Sequence, residues 1–188
     1  MYWIELLWYF IIISFLGWLF SGLYHYISEK KFYNEGFLTL PFCPAYGAGA
    51  LICWLLLSPL TNNFFILFVG SALILSFFTL LAGVLGKKIL GCKPWDFSSM
   101  RFNLGSYLTM PFVLVLGFSG AFSVKMLIPL IKTLIDQIPD LISMIISLSI
   151  ALLILIDYVF SFITIYRLKK RITAAKYDPN FINDNVSE

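Results

Sequence analysis

Apolar runs long enough to cross a bilayer dominate this chain. A hydrocarbon core of about 30 Å takes roughly 20 consecutive apolar residues as a helix, and five runs fall near that length. They lie at about 2–27, 44–60, 64–86, 105–121 and 140–166. Lipid offers no partner for backbone N–H and C=O groups, so such runs become helices that satisfy themselves. The expected fold class is therefore all-α: a polytopic transmembrane helix bundle of five spans. Composition agrees, with 60% hydrophobic and 12% charged residues among 188, against nearly half and a quarter in a soluble domain.

The first run begins directly at Met1, with no basic leader or cleavage site, and reads as a retained helix. Its ends carry Tyr2, Trp3, Trp8, Tyr24 and Tyr26, as an interfacial belt would. At 1.5 Å per residue it is about 39 Å long, so it tilts or protrudes. Ser58–Asn63 is a short neutral turn, and Lys87 and Lys88 stop the third run. Residues 122–138 carry Lys125, Pro129, Lys132 and Asp136 among apolar residues. They read as an amphipathic segment in the outer interface, or equally as a continuation of the fourth helix.

Orientation follows from the basic residues. The 28–43 loop holds two, the 87–104 loop four and the C-terminal tail five, eleven of the thirteen. With five spans these segments share one side only if the topology is N-out/C-in. Both aromatic loops then face the cytoplasm of a bacterial cell (inner) membrane. Residues 1–171 form one transmembrane domain, and 172–188 a polar cytoplasmic tail. The charge of +3 tracks loop positions, so it is no sign of nucleic-acid binding. Three cysteines (Cys43, Cys53, Cys92) have neither metal-ligand nor CxxC spacing. No metal or cofactor is expected, and no catalytic triad is legible.

Two irregular stretches concentrate the unusual residues. In Gly36–Gly49, Pro41 and Pro44 fix φ and remove two donors, so 40–44 cannot be helix interior. Pro44 suits the first turn of the next helix, and Gly47 permits close approach of another backbone. Cys43 and Tyr46 could be a nucleophile and its helper; Cys-His catalysis would need His25 nearby, which the sequence does not demand. The second stretch is Trp95-Asp96-Phe97-Ser98 with Arg101 and Asn103. Asp96 can accept from Ser98 or Ser99 N–H groups, pair with Arg101, or bind a partner's basic group. Trp95, Phe97 and Phe102 hold this loop at headgroup level, against the Pro41–Gly47 loop.

Asp157 stands alone as a carboxylate deep in a run. Held ionised against lipid it costs roughly 2.5–3.5 kcal/mol on insertion scales, so it must face the bundle interior or be protonated. It is an ion or proton site, or a carboxyl bonded to a neighbouring helix's Ser, Thr or Tyr. Gly83-Val-Leu-Gly-Lys-Lys lacks Walker A spacing, so any ATP hydrolysis needs another subunit.

Gly17-Trp18, Pro41-Phe42-Cys43-Pro44-Ala45-Tyr46-Gly47 after Gly36-Phe37-Leu38, Gly83, and Trp95-Asp96-Phe97-Ser98 with Phe102-Asn103 and Gly105 carry a resemblance. Over about residues 10–131 the chain resembles the ABC-transporter type IV (CmpB-like) bacterial membrane proteins. The resemblance implies a permease role and partner subunits. It also implies glutamates where Ser21, Thr79 and Lys87 stand, and an arginine where Ser106 stands. The expectation is a small transport-system subunit in the lipid bilayer, with an ATPase or other membrane partner, or a second copy of itself. A membrane enzyme acting on lipid headgroups is the alternative, with a non-catalytic regulatory or immunity-type protein as a third reading.

Overall fold

The computed structural model describes residues 2–30, 38–90, 95–98, 100 and 102–177. Six α-helices account for most of it: α1 (Tyr2–Glu29), α2 (Pro44–Leu57), α3 (Phe64–Leu90), α4 (Met110–Phe122), α5 (Ile128–Ile135) and α6 (Asp140–Tyr177). Among the described residues, four helical stretches are long and apolar enough to cross a membrane: Tyr2–Leu23, Phe64–Lys88, Met110–Ile135 and Asp140–Leu168. The second expected span, Pro44–Leu60, is a shorter apolar helix. Its 14-residue α-helical part reaches about 21 Å, short of a core of about 30 Å.

Local chemistry explains the boundaries. Pro44 opens α2 behind an extended Cys43 (φ −117°, ψ 92°), and a 3₁₀ turn (Ser58–Leu60) closes it. Asn63 caps α3, its Oδ1 accepting the Phe65 and Ile66 N–H groups at 3.0 and 3.3 Å. That satisfies donors that a helix start leaves orphaned. Lys87 and Lys88 sit in the last turn of α3, where they complement the helix dipole.

The 122–138 segment corrects one expectation. It is not a separate interfacial segment: α4, a π turn (Ser123–Leu127) and α5 run on as one apolar helix to Ile135. The π turn makes this possible beside Pro129. Ile128 N–H reaches back five residues to Ser123 O, widening the turn just before the ring that would otherwise clash. Ile128, Ile131 and Ile135 form one buried stripe against Leu6, Tyr9 and Ile13 of α1 and Ala50 of α2. Lys132, read as an interface residue, instead bonds Glu5 of α1 at 2.9 Å and Asp136 at 3.6 Å.

The fourth helix also starts later than expected. Residues 103–109 form a small antiparallel hairpin, β1 (Asn103–Leu104) on β2 (Leu108–Thr109), before Met110. Gly105 and Ser106 take positive φ (60° and 68°) to close it. At the other end, α6 passes through Arg167–Arg171 as helix as far as Tyr177, so the tail's first residues continue it; 178–188 lie outside the described residues.

α3 and α4 pack closely. A side chain at Gly117 would strike Phe68 and Ala72, and one at Gly120 would strike Ser71, so small residues let these helices approach. Cys53, Leu57, Leu67, Ala121 and Val124 fill the junction of α2, α3 and the fourth helix. α6 lies against α1, where the Trp8 indole N–H donates to Ser143 Oγ at 2.8 Å.

Candidate functional site

The proline stretch does not sit beyond the ends of the helices, as expected for a surface loop. From Leu38 it folds back into the bundle. Cys43 N–H donates to Ser14 O at 3.0 Å. Ser14 lies about nine residues, roughly 14 Å, along α1 from the Glu5–Lys132 pair that marks one charged end. Pro44, at the head of α2, therefore begins near mid-depth. Glycine makes the approach possible: a Cβ on Gly47 would overlap Ser14 Oγ and the Phe10 carbonyl, and one on Gly17 would overlap the Tyr46 ring. The Ser14 hydroxyl is fully buried there and has no hydrogen-bond partner among the described residues.

Asp157 meets the same stretch from α6. Its Oδ2 accepts the Leu40 N–H at 2.9 Å. The partner is thus a loop backbone group rather than a neighbouring helix's hydroxyl. This bond answers the physical problem of the stretch: non-helical backbone at membrane depth needs partners for groups that helix would satisfy internally. Phe42 N–H turns back to Leu40 O at 2.7 Å. Leu38 is buried with Ile11 and Ile154, with Phe42 and Ile150 packed against them. Asp157 is about ten residues, roughly 15 Å, from the exposed Arg167, so it too lies well inside the apolar length of α6.

Below Asp157, the loop and α6 leave a groove of about 230 Å³ lined by Leu38, Thr39, Phe160, Ser161, Thr164 and Ile165. Asp157, Ser161 and Thr164 are spaced i, i+4, i+7, one helical face. Thr164 Oγ1 donates to Phe160 O at 2.9 Å, which leaves its oxygen lone pairs free to accept or ligate. Ser14, Leu40, Ser161 and Thr164 were not among the residues singled out from sequence. The Asp-x-x-x-Ser-x-x-Thr spacing in an otherwise apolar run is a signal that could have found the last two.

The second stretch behaves differently. Asp96 Oδ1 accepts Ser98 N–H at 2.9 Å, one of the arrangements its sequence allowed. Arg101 lies outside the described residues, as do Ser99, Cys92 and the Gly36-Phe37 pair. The Asn103 amide donates to Met100 O at 2.8 Å and Ser98 O at 3.4 Å. Trp95 Nε1–H donates to Tyr107 O at 3.0 Å, Phe97 N–H to Ser106 O at 2.8 Å, and the Phe97 ring leans on Phe112. Tyr107 packs where Gly83 leaves room. These contacts fasten the hairpin to α3 and α4, whereas those of Cys43, Tyr46 and Gly47 lead to α1 and those of Leu38 and Leu40 to α6. Phe102 is 87% exposed, at a positive φ of 58°.

Among the described residues no group of His, Cys, Asp and Glu is placed to hold a metal ion. Comparison with curated proteins and with solved structures gives no match. A family model does match, over residues 8–162, and its description is Putative ABC-transporter type IV. That length takes in both irregular stretches and Asp157, so the chain belongs to this family, whose name ties it to ABC transporters.

Proposed function

We propose that the chain is a small permease-like subunit of a membrane transport system, working with partner subunits in a bacterial inner membrane, N-out and C-in. One observation carries this reading: the short helix α2 begins at mid-depth, on a proline-bent loop held by Ser14 O and the Asp157 carboxylate. Irregular backbone at that depth is tolerated where it is enclosed by protein or lines a cavity. In secondary transporters, helix ends at mid-depth beside non-helical backbone form the substrate and ion sites. A groove with the hydroxyls of Thr39, Ser161 and Thr164 in its lining opens beside this stretch, which supports the reading. The apolar side chains exposed along α3 and α6 suit contact with lipid or with another subunit. The sequence offers no P-loop, so energy from ATP would enter through a partner.

Purification from native membranes in mild detergent tests the proposal. The expected result is co-purification of a nucleotide-binding or other membrane subunit, and transport by the reconstituted assembly that falls at least tenfold with Asp157→Ala. Recovery of this chain alone, with no transport activity in liposomes, would overturn it.

A further inference from the structure

The groove beside the proline loop is lined by Leu38, Thr39, Phe160, Ser161, Thr164 and Ile165, with no charged side chain among them. Its walls are apolar and its polar groups are hydroxyls. The Thr164 proton goes to Phe160 O at 2.9 Å. The Ser161 and Thr39 hydroxyls make no hydrogen bond among the described residues, and Ser161 is buried. A hydroxyl held away from bulk water costs free energy until it finds an acceptor. A charged ligand would find no counter-charge in this lining, so the occupant is neutral where it sits. At about 230 Å³ the space falls below that of a drug-sized molecule, so it takes one segment of a longer ligand.

Depth selects among neutral segments. Arg167 is the first basic residue past the apolar run of α6 and is exposed, so it marks the headgroup level. Phe160 to Ile165 lie two to seven residues before it, about 3–10 Å towards the membrane centre. In that zone the ester carbonyls of a phospholipid join its acyl chains, acceptor oxygens followed by hydrocarbon. Phe160 and Thr39 are exposed, so the groove is open to the surrounding lipid rather than sealed within the bundle.

We propose that this groove binds the ester end of a phospholipid acyl chain from the leaflet at the Arg167 end of α6. The ester carbonyl accepts from Ser161 and Thr39, and the chain lies between Leu38, Phe160 and Ile165. The lipid fills the gap between the loop and α6 and so helps to hold residues 38–40 in place. This is a lipid site of the chain by itself and depends neither on transport nor on a partner subunit.

The test is photolabelling of the purified full chain in bilayers of phosphatidylethanolamine and phosphatidylglycerol. Two matched phosphatidylglycerol probes, one diester and one diether, carry a diazirine beside the linkage, and adducts are mapped by mass spectrometry. The exposed Leu81, Val84 and Leu85, near the Lys87 end of α3, report ordinary lipid contact at similar depth. The diester probe is expected to label 160–165 about fivefold more than 81–85, the ratio that one good hydrogen bond supplies. The diether probe is expected to show no such preference. A Ser161→Ala/Thr39→Val variant keeps the Asp157–Leu40 bond. It should lower the diester preference to the diether level while labelling of 81–85, which reports an intact fold, stays unchanged. Equal labelling of the two stretches by the diester probe would overturn the site, leaving the groove to water, to another part of the chain or to a second copy. A preference shared by the diether probe, or kept in the variant, would overturn it as well. The expected labelling without transport in the reconstituted assembly would count against the permease reading and leave the site standing.

Discussion

The two irregular stretches both interrupt the apolar runs with aromatic residues and differ in how they are held. Among the described residues of 95–109 the bonds are largely local: Asp96 accepts from Ser98, Asn103 donates to Met100, and Phe97 pairs with Ser106. Residues 38–43 depend on distant parts of the chain, namely Ser14 in α1 and Asp157 in α6. A stretch with its own internal bonds can lie at a helix end whatever the bundle does. One that borrows its partners from two helices holds its position only while those helices stay in place. The second kind is where a membrane protein can couple a local event to helix positions, since losing one partner leaves a backbone donor exposed to an apolar surrounding.

Substitutions that separate the two stretches follow from this difference. The largest effect is expected at Gly47: the Cβ of Gly47→Ala meets the buried Ser14 hydroxyl and the Phe10 backbone carbonyl, and the carbonyl cannot swing away. A loss of about 2–3 kcal/mol, typical of overpacking, should appear as a drop in melting temperature in detergent. Gly17→Ala should cost a similar amount, because the atoms it meets include Tyr46 Cβ and Cγ, which move only with the α2 backbone. Next, Asp157→Ala orphans the Leu40 N–H and should cost about 1–3 kcal/mol, with faster maleimide labelling of Cys43. Asp157→Asn keeps an acceptor oxygen and should recover part of that stability. In the hairpin, Asn103→Ala should cost about 1 kcal/mol and leave Cys43 labelling unchanged. If it altered that labelling, the independence of the two stretches would be wrong. Smallest of all, Glu5→Gln removes a partly exposed ion pair with Lys132 and should change stability by at most about 1 kcal/mol.

Much of this was legible in the residues. Apolar length placed α1 and α3 to within a few positions, the prolines marked the break at 40–44, and Pro44 marked the start of α2. Asp96 could be read as a turn acceptor because an aspartate two residues before an N–H is a local pattern. What stayed hidden was non-local. Loops were assigned to one face by their basic residues, a rule that speaks of helix ends and not of a stretch that doubles back between them. The depth of Cys43 depends on Ser14, about thirty positions earlier, and the partner of Asp157 is a backbone group with no residue-type signature. Pro129 and Lys132 looked like interruptions of the fourth helix. A π turn absorbs the first and Glu5 pairs with the second, and neither compensation is visible along one helix alone.

The central claim is that the proline stretch reaches the middle of α1, and a crosslink measures this directly. In a chain carrying Cys53→Ser and Cys92→Ser, Ser14→Cys is placed opposite the native Cys43, and the membranes are treated with a short bis-maleimide. Efficient crosslinking through Ser14→Cys, with none through Tyr26→Cys near the far end of α1, is the predicted result. Crosslinking through Tyr26→Cys but not Ser14→Cys would place the stretch at the helix ends and contradict the account.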